Sequence, residues 1–367
     1  MKIIKIIDVR WYNACADFAV KQAQGLMLLG HQVLLLANPD TPVATRAREA
    51  GIDTCEEIDF AGMGAIAIAP SRLKALARNF GADIIIAHRG ESHLIGALAA
   101  RGSNLRIARF RGDVRAPRAD MFSRWLNERL TDGIAVSTIQ LKRDYESKFK
   151  LGSIPIEIIY PGIDIDRFKI EIPKPELKAK FGFVQEKPLI GIVGRLSPVK
   201  GHRFFIEAAS LVTKKFPDAQ YVIAGGDAQI KMEDLEQMAA ASEVKNIHFM
   251  GITDNIGELI SSFDIGVVSS IGSEMICRVL LEYFAAGLPV VATKVNQISE
   301  LMTQSEGGIL VQPEDPLQLC EAIFNMLDKP SVRMDFARTG KGWVENRSLK
   351  SLGRDTEKFL GEVLDVQ

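Results

Sequence analysis

Short apolar runs rich in Ile, Val and Leu alternate along the whole chain with longer stretches of helical period, and this alternation restricts the fold more than any other feature. A strand buried on both faces has no polar alternation of its own, so the pattern predicts parallel sheets covered by helices on both sides. Strands are expected at residues 3–8, 32–37, 83–87, 106–110, 133–136 and 156–159, with helices at 16–29, 71–79, 92–100 and 138–148. The pattern pauses over 160–187, a stretch rich in Pro, Lys and Glu, and restarts with strands at 188–193, 220–224, 246–249, 265–268, 289–292 and 308–311. The fold class expected is therefore α/β, with two Rossmann-like, doubly wound parallel-sheet domains facing each other across a cleft. Residues 1–165 form the N-terminal domain in this reading, 166–187 a linker and 188–345 the C-terminal domain. Residues 346–367 form a last helix expected to pack back on the N-terminal domain. A length of 367 residues suits two cores better than one.

Lys and Arg number 45 against 46 Asp and Glu, and a net charge of -1 argues against general nucleic-acid binding. The charge is unevenly spread. Arg101, Arg106, Arg109, Arg111, Arg115, Arg118, Arg124 and Arg129 fall within residues 101–130, with only Asp113, Asp120 and Glu128 to oppose them. Such a face suits an anionic acceptor or an anionic membrane leaflet, or is simply a solvated surface. Cys15, Cys55, Cys277 and Cys320 show no CxxC spacing and no accompanying His cluster, which points to free thiols rather than to zinc or disulfides. The apolar run at the N-terminus is too short for a signal peptide, and no run of eighteen apolar residues occurs, so a cytoplasmic location is expected.

Two segments carry chemistry. Gly194-Arg195-Leu196-Ser197-Pro198-Val199-Lys200-Gly201 follows the first strand of the second half and precedes a helix. Two cations at a strand-to-helix turn suit a phosphate, Arg195 as a planar fork and Lys200 as a point charge, although a cation-bearing surface loop has the same composition. The second segment runs from Ser273 through Glu274, Met275, Ile276 and Cys277 to Glu282. Glu274 stands just before a helix and Glu282 eight residues later, and eight steps of about 100° bring the two to roughly one side. Each carboxylate then suits sugar hydroxyls, and the amides of Met275, Ile276 and Cys277 suit a phosphate.

Together, GRLSPVKG, the AGG at 224–226, FMGITDNIGELISSFDIGVVSS at 249–270 and the Glu274/Glu282 pair followed by AAGLPVVAT resemble the C-terminal domain of retaining glycosyltransferases of family 4. Val136-Ser137, YPGIDIDRF at 160–168, Gly30-His31 and residues 48–51 are similar to other parts of that family, in order along the chain. The resemblance implies a GT-B fold, a nucleotide-sugar donor held by the C-terminal domain, retention of anomeric configuration and no metal or other cofactor. It further implies a cell-envelope glycan or lipopolysaccharide-core acceptor held by the N-terminal domain, and peripheral contact with the inner membrane. By position, Arg195 and Lys200 would bind the diphosphate, Glu282 the ribose and Glu274 the donor sugar, with Gly194 and residues 275–277 completing the donor site and Arg195, Lys200 and Glu274 carrying catalysis.

Three departures stand out. Trp11 to Ala16 replace a glycine pair usual after the first strand, and Met275-Ile276-Cys277 replaces a Gly-Phe-Gly. Arg111 stands where many members carry a His, and either grips an anionic acceptor group or pairs with Asp113. Asn13, His88, Arg111 and Asp113 are therefore the candidate acceptor or sugar contacts. Asp164-Ile165-Asp166 matches a metal-binding D-x-D pattern but reads as a structural turn. A nicotinamide-dependent dehydrogenase is disfavoured because no G-x-G-x-x-G follows a strand. A nucleotide-sugar-binding protein without turnover, or an epimerase or phosphorylase on the same scaffold, remains open.

Overall fold

The computed structural model describes residues 1–58, 60 and 62–365, in two units: residues 1–162 with 347–367, and residues 163–346. The first unit runs β1 (Lys2–Ile7), α1 (Ala14–Met27), β2 (Gln32–Ala37), α2 (Pro42–Glu49), β3 (Asp53–Cys55), α3 (Gly62–Phe80) and β4 (Ile84–Ala87). It continues with α4 (Gly90–Ala100), β5 (Arg106–Arg111), α5 (Met121–Arg129), β6 (Gly133–Val136), α6 (Ile139–Lys148) and β7 (Ile156–Ile158). The strands form one parallel sheet in the order β3-β2-β1-β4-β5-β6-β7. Its centre is apolar apart from Lys5: Ile3, Ile4, Ile6 and Ile7 of β1 and Ile84 and Ile85 of β4 are fully buried. Side chains close the helix starts, Asn13 accepting from the Ala16 amide at 3.0 Å and Thr138 from that of Leu141 at 3.2 Å.

Four features of this unit differ from the expected pattern. α2, β3 and α5 were not anticipated, and α3 starts nine residues ahead of position 71 and runs through Pro70. The hydroxyl of Ser71 donates to the Ile68 carbonyl at 2.8 Å, beside the interruption the proline ring imposes.

The second unit opens at Ile163, three residues inside the stretch read as the N-terminal domain, and continues through the one read as a linker. That stretch carries α7 (Lys174–Lys180), where Lys178 donates to Asp264 at 2.7 Å and Lys174 to the Phe263 carbonyl at 2.6 Å. The unit continues with β8 (Leu189–Val193), α8 (His202–Lys215), β9 (Gln220–Ala224), α9 (Met232–Ala241), β10 (Ile247–Met250), α10 (Ile256–Ser261) and β11 (Ile265–Val268). It ends with α11 (Arg278–Ala285), β12 (Val290–Thr293), α12 (Asn296–Ser305), β13 (Gly308–Val311), α13 (Pro316–Asp328) and α14 (Pro330–Val344). Its parallel sheet has the order β10-β9-β8-β11-β12-β13.

The last helix, α15 (Leu349–Asp365), belongs to the first unit and lies on α1. Its apolar stripe of Leu352, Phe359, Leu360 and Val363 is buried. The two helices cross where Gly25 and Gly353 face each other: a Cβ on Gly353 would lie 2.2 Å from the Gly25 carbonyl oxygen. A buried polar chain runs beside the crossing, with Lys5 Nζ donating to Gln22 Oε1 and Gln22 Nε2 to Thr356 Oγ1 at 3.0 Å.

Candidate active site

In each sheet the strand order reverses once, between β1 and β4 and between β8 and β11. Connections leave such a point in opposite directions, so the carboxyl ends of the two strands open a crevice that their loops line. In the second unit these loops are the GRLSPVKG turn after β8 and residues 269–277 after β11.

The two loops are bound together. Ser269 Oγ donates to the Lys200 and Gly201 carbonyls, each at 3.0 Å, and the Ile271 amide donates to the Val199 carbonyl at 2.8 Å. Gly201 has φ +68°, and a Cβ there would lie 2.0 Å from the Ser269 carbonyl oxygen, so this turn requires glycine. Gly225 serves the turn from the other side, since a Cβ on it would lie 2.0 Å from the Gly194 carbonyl oxygen.

Lys200 is thereby aimed at Glu274: Lys200 Nζ donates to Glu274 Oε1 at 2.5 Å, and Ser270 Oγ donates to the same oxygen at 2.8 Å. The Cys277 thiol completes the group. Burial, and then the Glu274 charge, push its pKa up to about 12, while Lys200 opposes them and Glu282 adds to the rise. A thiol held neutral in this way is no nucleophile.

Glu282, on α11, is half-buried. The helix starts only at Arg278, so the helical rotation expected to align Glu274 with Glu282 does not apply. Glu274 reaches the group from an irregular loop whose Ser273 has φ +59°. Two of the three amides proposed for a phosphate are engaged within the protein, Met275 N–H with the Ser273 carbonyl at 3.1 Å and Cys277 N–H with Gln297 Oε1 at 2.7 Å. Arg195 is exposed and makes none of these contacts. Ser270 and Gln297 were not read from the sequence, because each acts through a fold contact rather than a motif. His202, at the start of α8, is buried beside this group, and burial followed by the Lys200 charge lowers its pKa to about 4.

In the first unit, Asn13 caps α1. His88, at the end of β4, is buried against Phe18 and Phe110, and neither ring nitrogen has a hydrogen-bond partner among the described residues. Burial lowers its pKa well below the usual range, so the ring is neutral. Across the reversal point Ser92 donates to Asp8 at 2.9 Å, a pair the sequence did not disclose, and burial raises the Asp8 pKa. Arg111 and Asp113 do approach, at 3.7 Å, and Arg109, of the same arginine cluster, meets that carboxylate at the same distance. Asp166 pairs with Lys169 at 2.6 Å on the surface of the second unit.

Residues 18–167 match the model of Glycosyltransferase Family 4, and residues 187–329 that of Glycosyl transferases group 1. Alpha-D-kanosaminyltransferase of Streptomyces kanamyceticus is 27% identical over 58% of this chain and 56% of its own length. The lipopolysaccharide core biosynthesis mannosyltransferase LpsB of Rhizobium meliloti is 27% identical over 56% of this chain and 62% of its own. The chain thus spans roughly half to two thirds of the curated relatives it matches. The crystal structure of Anabaena Alr3699/HepE in complex with UDP superposes with a TM-score of 0.85 at 18% identity, over 98% of this chain and 100% of that one. The two reversing parallel sheets and the two matched domains agree, and the chain belongs to the family 4, group 1 glycosyltransferases of GT-B fold.

Proposed function

We propose that this protein transfers a sugar from a nucleotide-sugar donor to a cell-envelope glycan or lipopolysaccharide-core acceptor, with retention of anomeric configuration and without a metal. The observation that carries this reading is the Lys200 ammonium held against the Glu274 carboxylate at the point where the second sheet reverses its order. A cation and an acidic group side by side suit the two ends of a sugar diphosphate, one for phosphate oxygens and the other for sugar hydroxyls. As the anomeric bond breaks, negative charge grows on the diphosphate. Lys200, joined by the exposed side chain of Arg195, then stabilises the transition state more than the ground state. Glu282 takes the ribose hydroxyls, Gly194 lets the phosphates approach the turn, and the Ile276 amide supplements the cations. Asn13, His88, Arg111 and Asp113 serve the acceptor side.

The proposed location is the cytoplasm, at the inner face of the membrane. Among the described residues no helix is long and apolar enough to cross a bilayer. α5 nevertheless exposes Met121, at 87%, together with Phe122 and Trp125, beside Arg118 and Arg124. Apolar side chains flanked by guanidiniums suit an anionic surface.

Incubating the purified protein with a panel of nucleotide sugars and lipopolysaccharide-core acceptors, with and without chelator, tests the reading. Chelator-resistant transfer with the donor's anomeric configuration in the product is expected. Strict metal dependence, an inverted product, or no donor binding would overturn it, and donor binding without turnover would point to a binding protein. Co-sedimentation with anionic vesicles, compared with neutral ones, tests the membrane contact.

A further inference from the structure

Arg109 and Arg111 lie two residues apart on β5 and so leave the same face of the sheet. The Arg109 side chain is only 5% exposed and that of Arg111 17%. Both approach a single atom, Oδ2 of Asp113, each at 3.7 Å, which is too long for a hydrogen bond. The Arg111 guanidinium lies 5.8 Å from the centre of the Tyr145 ring, and the hydrogen bonds of the pair are few for ten donor hydrogens. Arg109 Nη1 donates to the Ala87 carbonyl at 3.3 Å, Arg111 Nη2 to the Arg115 carbonyl at 2.7 Å and Arg111 Nη1 to the Tyr145 hydroxyl at 3.4 Å. Arg111 Nε is buried with no hydrogen-bond partner among the described residues. Two guanidiniums withdrawn from water thus share one carboxylate that hydrogen-bonds neither. Such an arrangement is costly unless something else completes it. The nearby Cys15 thiol does not, because burial raises its pKa to about 11 and keeps it neutral.

We infer that Arg109 and Arg111 form a subsite for an anionic group, a phosphate or a carboxylate, on the acceptor, and that Asp113 is its counterion until the acceptor displaces it. This deepens the transferase reading above, on which it rests. A phosphate or carboxylate presents two or more oxygens to the two forks at hydrogen-bond distance, where the half-exposed Asp113 offers one oxygen to both. Arg111 then fixes which acceptors are accepted, and Asp113, on the loop beyond β5, keeps the pair from capturing any passing anion.

The test is calorimetric titration of full-length protein carrying Arg195→Ala and Lys200→Ala, so that anions bound at that turn do not contribute. The probes are inorganic phosphate, glucuronate and, as a neutral control, methyl glucoside. Binding of an anion but not of the neutral sugar is expected, with Asp113→Asn tightening it about tenfold and Arg111→Gln weakening it about tenfold or more. Preference for phosphate identifies a phosphorylated acceptor, and preference for glucuronate an acidic sugar. Should Arg111→Gln fail to fold by circular dichroism, Arg111→Lys, which keeps the charge and loses the fork, is expected to weaken binding severalfold. No anion binding, or affinity unchanged in either Asp113→Asn or the folded Arg111 variant, would overturn the inference. Nucleoside diphosphate binding by the unsubstituted protein is measured in parallel, and its absence would sink the donor reading while leaving the anion result standing.

Discussion

Lys200 and Glu274 meet at 2.5 Å although they come from the loops after two different strands, 74 residues apart. The pair forms because β8 and β11 are neighbours whose connections diverge, and because Gly201 lets the first loop lie against Ser269. Lys200→Ala is expected to cost about 2–4 kcal/mol of transition-state stabilisation, read as a fall in kcat with little change in KM. It also leaves the buried Glu274 carboxylate with Ser270 alone, a stability loss on the order of 1–3 kcal/mol, because Lys200 is partly exposed. Steady-state kinetics and urea unfolding check the two halves, and an unchanged kcat would remove Lys200 from the mechanism.

Arg195 offers the complementary experiment. It is exposed and holds nothing in place, so Arg195→Ala should leave the unfolding midpoint within about 0.5 kcal/mol of the parent. Its turnover should nevertheless fall by roughly 2 kcal/mol or more, provided the guanidinium closes on the departing diphosphate. A stability loss as large as the rate loss would show a structural side chain instead.

Gly353→Ala tests how the last helix is held. The added Cβ would meet the Gly25 carbonyl oxygen at 2.2 Å, backbone against backbone, so the helices must separate. Separation opens gaps around Leu352, Phe359 and Leu360, and a loss of about 2–4 kcal/mol is expected. Thermal unfolding of Gly353→Ala beside Gly361→Ala, where a Cβ meets nothing within 4 Å, gives the comparison. Equal melting temperatures would rule out the tight crossing.

Much of this architecture was legible because a buried parallel strand announces itself as an unbroken apolar run, as in Ile84–Ala87. β3 escaped notice since three residues at a sheet edge, Asp53–Cys55, carry too little apolar signal. α5 was missed because its sequence, MFSRWLNER, leaves its largest apolar side chains outside and buries Leu126 and Asn127. In the site, Lys200 and Glu274 could be named by residue type and order, but not their contact, which depends on strand order. The helical argument for aligning Glu274 with Glu282 does not apply, because α11 starts only at Arg278 and Cys277 is extended, which no residue type in 274–277 announces. Arg109 was visible only as one of eight clustered arginines and Ser270 only as the end of a longer motif, while Gln297 had no local signature; the role of each comes from a neighbour distant in the chain or from burial.

His202 makes stability depend on acidity in a defined direction. Burial, and then the Lys200 charge, lower its pKa from the usual 6.5 to about 4. Between those values the unfolded chain takes up a proton that the folded chain refuses, so unfolding binds protons and stability falls as the pH drops from 6.5 towards 4. The full effect is on the order of 3 kcal/mol, all of it retained above pH 6.5. His88 and His93 in the first unit, also lowered by burial, add to the same slope. Replacing His202 by Gln removes the one titration and leaves the other two, so the slope of unfolding free energy against pH should become shallower by about 1.4 kcal/mol per pH unit within the window. Urea unfolding at several pH values across it, on both proteins, measures the slopes. Parallel slopes would mean that His202 is protonated at the same pH in folded and unfolded chains, and that the Lys200 turn does not exclude water as the burial of this ring implies.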